Sequence, residues 1–167
     1  MSARQLTRLG LLAGAGLVLF LLEAVAPRPL PWMKLGLGNL PVVVALELFG
    51  GLPAIAVAVV KIAAGGLVSG GFGSPAFAIG GGAGIASVTA MALAHRLAPG
   101  VFSLVGLSVL GAVTHQLIQL LIARVYLNHA GLLAFLPLFM LTGLVTGFAI
   151  GLVAHWCAVR LRRLERS

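Results

Sequence analysis

Arg28–Pro41 reads RPLPWMKLGLGNLP, and the helix-compatible run that follows, Leu40–Phe49 (LPVVVALELF), stops at Gly50-Gly51-Leu52-Pro53. The first stretch lies between two apolar segments and carries Arg28 and Lys34, two of only 11 cations, among Pro29, Pro31, Gly36, Gly38 and Pro41. A helix over Leu40–Phe49 rises about 15 Å at roughly 1.5 Å per residue, whereas a bilayer core is about 30 Å thick. The run is therefore a half-span, or the segment from Pro31 onward completes the crossing in non-helical form. Irregular backbone at membrane depth survives only where protein buries it or where it lines a wet cavity. Broken helices of this kind are also where transporters hold their ligands.

Composition agrees with a membrane setting. The chain of 167 residues is 60% hydrophobic and 8% charged, with a mean hydropathy of +1.15, against about 25% charged in a soluble domain. Its length suits a single integral membrane domain over 1–167. The formal charge of +8 would point to nucleic acid in a soluble chain. Here the arginines sit in flanks and loops, where they report topology, and no nucleic-acid partner is expected. Cys157 stands alone, so no internal disulfide can form.

Arg4, Arg8, the apolar run to Leu22 and Ala24-Val25-Ala26 imitate a signal peptide. The run is long for that role, and Glu23 and Pro27 crowd the cleavage site, so the segment is expected to stay as the first span, Leu6–Ala26. Gly10 and Gly14 in it form a small-xxx-small pair. The pair serves either packing within the bundle or contact with a separate membrane subunit. Asn39 suits a helix N-cap and Pro41 a first turn, giving a short second helix, Leu40–Phe49. Further helices are expected over Leu52–Ser69, Ala76–Leu97 and Val101–Leu127. A last helix runs from Gly131 to about Val159, with Pro137 as its start or kink. The expected fold is thus an all-α membrane protein, a six-transmembrane-helix bundle with a short second helix. Gly80-Gly81-Gly82 and Gly84 call for close neighbours, and a phosphate cradle there is disfavoured because no Lys follows. Gly143, Gly147 and Gly151 give the last helix a flat packing stripe. With six spans, one side carries Arg4, Arg8, Arg96, Arg160, Arg162, Arg163 and Arg166, and the other only Arg28 and Lys34. That asymmetry places both termini in the cytoplasm.

Two features hold the candidate chemistry. Lys61 falls near mid-membrane, where a cation is costly and is either paired or functional. It forms a salt bridge with Glu23 or Glu47, or it serves as counter-charge to an anionic ligand. Glu23 itself is an expected partner for Arg28 or Lys34. The fifth helix gathers Thr114, His115, Gln116, Gln119 and Arg124, with Ser108, Gly111, His115 and Gln119 on one face. That face is either a structural hydrogen-bonded patch or a ligand wall. Lys34, Asn39 at a helix N-terminus, Lys61 and Arg124 together suggest a cationic outer cavity for an acidic or phosphorylated solute. Catalysis is not expected. The chain has no aspartate and three glutamates, no GxxxxGK[ST] loop, no G-x-S-x-G elbow, and no metal-ligand cluster around His95, His115, His129 and His155. No cofactor is implied.

The segments Lys34–Asn39 (KLGLGN) and Gly111–Leu120 (GAVTHQLIQL) resemble those of the Gx transporter family, also labelled heptaprenyl diphosphate synthase component I. The likeness extends over most of the chain, with Gln116 standing where many relatives carry Asn. The family is similar to the substrate-binding S components of energy-coupling-factor transporters. Those are six-helix bundles of the bacterial cytoplasmic membrane that hold a vitamin-like solute under the loop after the first helix and dock on a transmembrane coupling subunit with ATPases. The resemblance implies that Lys34 and Asn39 lie at the pocket mouth, His115 and Gln119 on its wall, and Gly10 and Gly14 on the coupling face. The synthase label fits poorly, because prenyl-chain synthases hold magnesium diphosphate with aspartate-rich motifs. Three functions follow: a solute-binding importer subunit, a membrane anchor for a redox or isoprenoid-related assembly, and, least favoured, a prenyl-transfer enzyme.

Overall fold

The structure is a computed structural model that describes residues 3–25 and 36–164. Arg28, Lys34 and most of the stretch that joins the first two helices lie outside the described residues, and so do the expected contacts of Glu23 with Arg28 and Lys34. The described chain is helical: α1 Ala3–Val25, α2 Leu40–Phe49, α3 Gly51–Val68, α4 Pro75–Leu97, α5 Leu104–Leu127 and α6 Leu136–Leu164. Two 3₁₀ turns, Leu37–Asn39 and Ala130–Phe135, precede α2 and α6. Helices α1, α3, α4, α5 and α6 are long and apolar enough to cross a membrane, and α2 is not. The protein is therefore an all-helical, multi-pass membrane protein with one half-length helix inside it.

That short helix is the centre of the packing. Pro41, Val42, Val43, Val44, Ala45 and Leu46 are all buried, the pattern of a helix enclosed on every side rather than along one stripe. It packs against α1, α3, α5 and α6, and its valines share a core with Leu9 and Ala13 of α1, Val57 and Ala58 of α3, Met91 of α4 and Ala154 and Ala158 of α6. Glycine sets both of its ends. Gly36 (φ 86°) turns the chain into the 3₁₀ turn and Gly50 (φ 86°, ψ −173°) turns it out into α3, conformations that a side chain would oppose.

Two helix starts and one capping role differ most from the sequence expectation. Helix α5 starts at Leu104 rather than Val101, because the Ser103 hydroxyl accepts the Gly106 N–H at 3.1 Å and fixes the start there. Helix α6 starts at Leu136 rather than Gly131, beside Pro137, the other start considered, because the residues from Ala130 form a 3₁₀ turn in which His129 Nδ1 accepts the Gly131 N–H at 3.2 Å. Asn39 is not a side-chain cap for α2: its backbone is already helical (φ −85°, ψ −14°) and its side chain points to Lys61 instead.

Glycine packing joins the long helices. A Cβ on Gly147 would lie 2.8 Å from the Val109 Cα, and one on Gly151 equally close to the Val105 Cα, so α6 rests directly on the α5 backbone. On α4, Ile62 of α3 covers Gly81 and Gly84, and Ile122 of α5 covers Gly82. Gly10 and Gly14 are different. Both are exposed, with nothing within 4 Å of a Cβ at either position. They are not packing inside this bundle; Gly16, against the Lys61 stem and the Gly38 carbonyl, does that.

Candidate functional site

Beside α2, where α1 and α3 end and α4 begins, lies a cavity of about 220 Å³. The local sequence explains its shape. Gly65 and Gly66 of α3 are covered by the rings of Phe20 and Phe77, respectively, so two aromatic side chains stand on either side of one helix and face the space. Gly80, Gly81 and Gly84 give α4 a wall of bare backbone. The remaining half of the bilayer path that α2 leaves uncovered is where this space lies.

Among the described residues, two charged side chains reach the cavity, and both hold the segment that enters α2. Glu23 is 3% exposed and its Oε1 accepts the Gly36 N–H at 2.6 Å. Lys61 is 5% exposed, about 15 Å along α3 from its start, and its Nζ donates to Asn39 Oδ1 at 2.6 Å. Between these anchors Gly38 lies against Phe20 and the Gly16 carbonyl. The irregular backbone of Gly36–Asn39 is thus enclosed by protein and borders the cavity, the condition under which such backbone is stable at membrane depth.

The pairing of Lys61 with Glu47 considered from the sequence is not formed. Glu47 sits at the other end of α2, and Arg162 Nη2 meets its Oε1 at 2.7 Å and its carbonyl oxygen at 3.0 Å, joining α6 to α2 there. The described lining of the cavity holds one lysine and one glutamate, and Arg124, expected to add to its positive field, is not part of it; Lys34 lies outside the described residues.

The expected ligand residues separate into groups. Asn39, Lys61 and His115 come together at the cavity. Gln119 is wholly enclosed and lines neither this cavity nor the smaller space described below, while Arg124 is exposed in the last turn of α5, where a cation complements the helix dipole. Glu23, Phe20, Phe77, Ser69 and Ser74 line the cavity but were not expected there as ligand residues. Of these, only Glu23 left a signal in the sequence, as one of three acids in the chain.

A second, smaller space of about 30 Å³ lies further in, among α2, α4, α5 and α6. Gly36, Asn39 and His115 border both spaces, and Ser87, Gln116 and Thr146 border the inner one.

A family described as heptaprenyl diphosphate synthase component I matches residues 12–157. The chain belongs to that family. The match runs from α1 through most of α6, so it includes both cavities and the Gly36–Asn39 segment between Glu23 and Lys61. No curated protein and no solved structure matches the chain.

Proposed function

We propose that this protein is the solute-binding transmembrane subunit of an importer of the energy-coupling-factor type, a six-helix S-component-like bundle in which α2 is the short second helix. One observation carries the reading: a cavity of about 220 Å³ at one end of the bundle, into which Lys61, Asn39, Glu23 and His115 converge. Small-molecule sites are concave, mostly apolar, and carry a few convergent polar groups. This cavity is smaller than most, which suits a compact solute. Lys61 would receive an acidic group of the solute, and Glu23 and the serine hydroxyls would receive its donors. The cavity end faces outward and both termini face the cytoplasm of a bacterial inner membrane, in keeping with the arginine asymmetry. Energy would come from a separate coupling subunit with ATPases, met through the outward face of α1 at Gly10 and Gly14. The chain itself would perform no catalysis.

The family's description favours a second reading, a membrane anchor subunit of an isoprenoid- or quinone-related assembly without transport. Its absence of aspartate leaves no metal-diphosphate motif in this chain, so on that reading the chemistry belongs to a partner. Mass spectrometry of small molecules released from gently solubilised protein separates the two. A near-stoichiometric polar solute is expected for the importer subunit. Release of no solute, together with copurification of a soluble prenyl-transfer subunit, would establish the anchor.

A further inference from the structure

The inner chamber holds a buried hydrogen-bonding group whose orientation can be worked out. Gln116 is 3% exposed and borders the chamber. Its Nε2 lies 3.3 Å from the Thr142 hydroxyl oxygen. That hydroxyl donates its one proton to the Phe139 carbonyl at 3.0 Å, so toward Gln116 it can only accept. The amide must therefore present its NH₂ to Thr142 and its oxygen to the other side. Among the described residues, Gln116 Oε1 has no hydrogen-bond donor.

Of the hydroxyls that border the chamber, those of Ser87, Ser108 and Thr146, two have their protons committed elsewhere. Ser87 donates to the Gly111 carbonyl at 2.7 Å, and Thr146 donates to the Thr142 carbonyl at 2.7 Å. Each therefore offers only lone pairs to the chamber. With Gln116 Oε1 these oxygens make three acceptors, and the wall they form suits a donor group better than a carboxylate or phosphate, whose oxygens would face like partial charge there. At about 30 Å³ it has room for a group of one or two heavy atoms. His115, Asn39 and Gly36 border it on the side of the larger cavity.

We infer that this chamber is the inner end of the solute site, and that it takes an N–H or O–H donor of the solute on Gln116 Oε1. The inference rests on the solute-binding reading above and narrows it. The solute is then a molecule with two unlike ends: an acidic group on the Lys61 side and an amine, amide or hydroxyl on the Gln116 side. The alternative source of the same chemistry is a resident water molecule.

The test uses the full-length protein in mild detergent, as wild type, Gln116→Met and the milder Thr146→Val, each at matched folded yield. Small molecules released on denaturation are weighed in H₂O and in D₂O, which counts exchangeable hydrogens, and melting is followed before and after the solute is washed out. Wild type should release a solute with at least one exchangeable hydrogen beyond those of its acid groups. Gln116→Met should release at least about fivefold less, the factor expected for one lost neutral hydrogen bond, and Thr146→Val an intermediate amount. After washing, Gln116→Met should melt close to wild type, because the lost Nε2–Thr142 bond is offset by removal of a buried acceptor that then lacks a donor. Wild-type retention of solute by Gln116→Met overturns the inference while leaving the solute-binding reading in place. A melting temperature of washed Gln116→Met many degrees below wild type also overturns it, because the single Thr142 bond does not account for so large a loss and a resident water on Oε1 does. Release of nothing by any of the three proteins overturns the solute-binding reading itself, and this inference with it.

Discussion

Lys61 shows how far one residue's meaning depends on what it touches. A lysine far along an apolar helix is costly to bury, and the sequence makes that plain. The sequence does not disclose that Asn39, 22 residues away, supplies the oxygen, or that Glu47, a nearer carboxylate in the chain, is held by Arg162 instead. Lys61→Ala should reduce retained solute by tenfold or more while lowering the melting temperature by only a few degrees; the opposite ordering would assign Lys61 to structure alone. Gln116 was visible as one polar residue among several on α5. Which of its two ends faces the chamber depends on Thr142 and Phe139, a helix away, and no spacing rule reaches that far. Arg124, expected to add to the positive field of the cavity, instead lies exposed in the last turn of α5. Glu47→Gln removes a partly exposed ion pair and should cost no more than about 1 kcal/mol, read from the melting temperature in detergent.

At the scale of elements, the half-length helix was legible because its punctuation is strong: Pro41 opens it, Gly50-Gly51 closes it, and the observed bounds are those expected. The starts of α5 and α6 were less so, since a Ser103 cap and a 3₁₀ turn after His129 trim apolar residues that hydropathy alone would include. Ser103→Ala should therefore lower stability by about 1 kcal/mol, the usual worth of an N-cap. The glycines of α6 give a sharper contrast by sign. In a helix with open space, Gly→Ala gains up to about 1 kcal/mol, and Gly10→Ala, with nothing within 4 Å, should raise the melting temperature or leave it unchanged. Gly147→Ala should lower it by the equivalent of about 1–3 kcal/mol, because the new methyl meets the Val109 backbone, which cannot step aside without moving α5. Equal shifts at the two positions would show that α5 and α6 do not pack as closely as described.

For the whole molecule, the outward side of α1 is a separate surface. Gly10 and Gly14 lie there with the exposed Leu6, Leu11, Val18 and Leu22. Replacing both glycines by leucine should leave the fold intact, since neither touches the bundle. It should also abolish copurification with a transmembrane coupling subunit. Unchanged copurification would move the docking surface elsewhere.

The brevity of α2 has an electrical consequence as well. On the importer reading, with the cavity open to the outer water, apolar protein would separate the two aqueous phases by about 15 Å instead of about 30 Å over the part of the bilayer that α2 spans. The resting voltage would then fall mostly across the far half, between Asn39 and the Glu47–Arg162 contact. A charged solute seated beside Lys61 would already have entered without crossing most of that drop, and the greater part of the electrical work would remain for the step that carries it past α2.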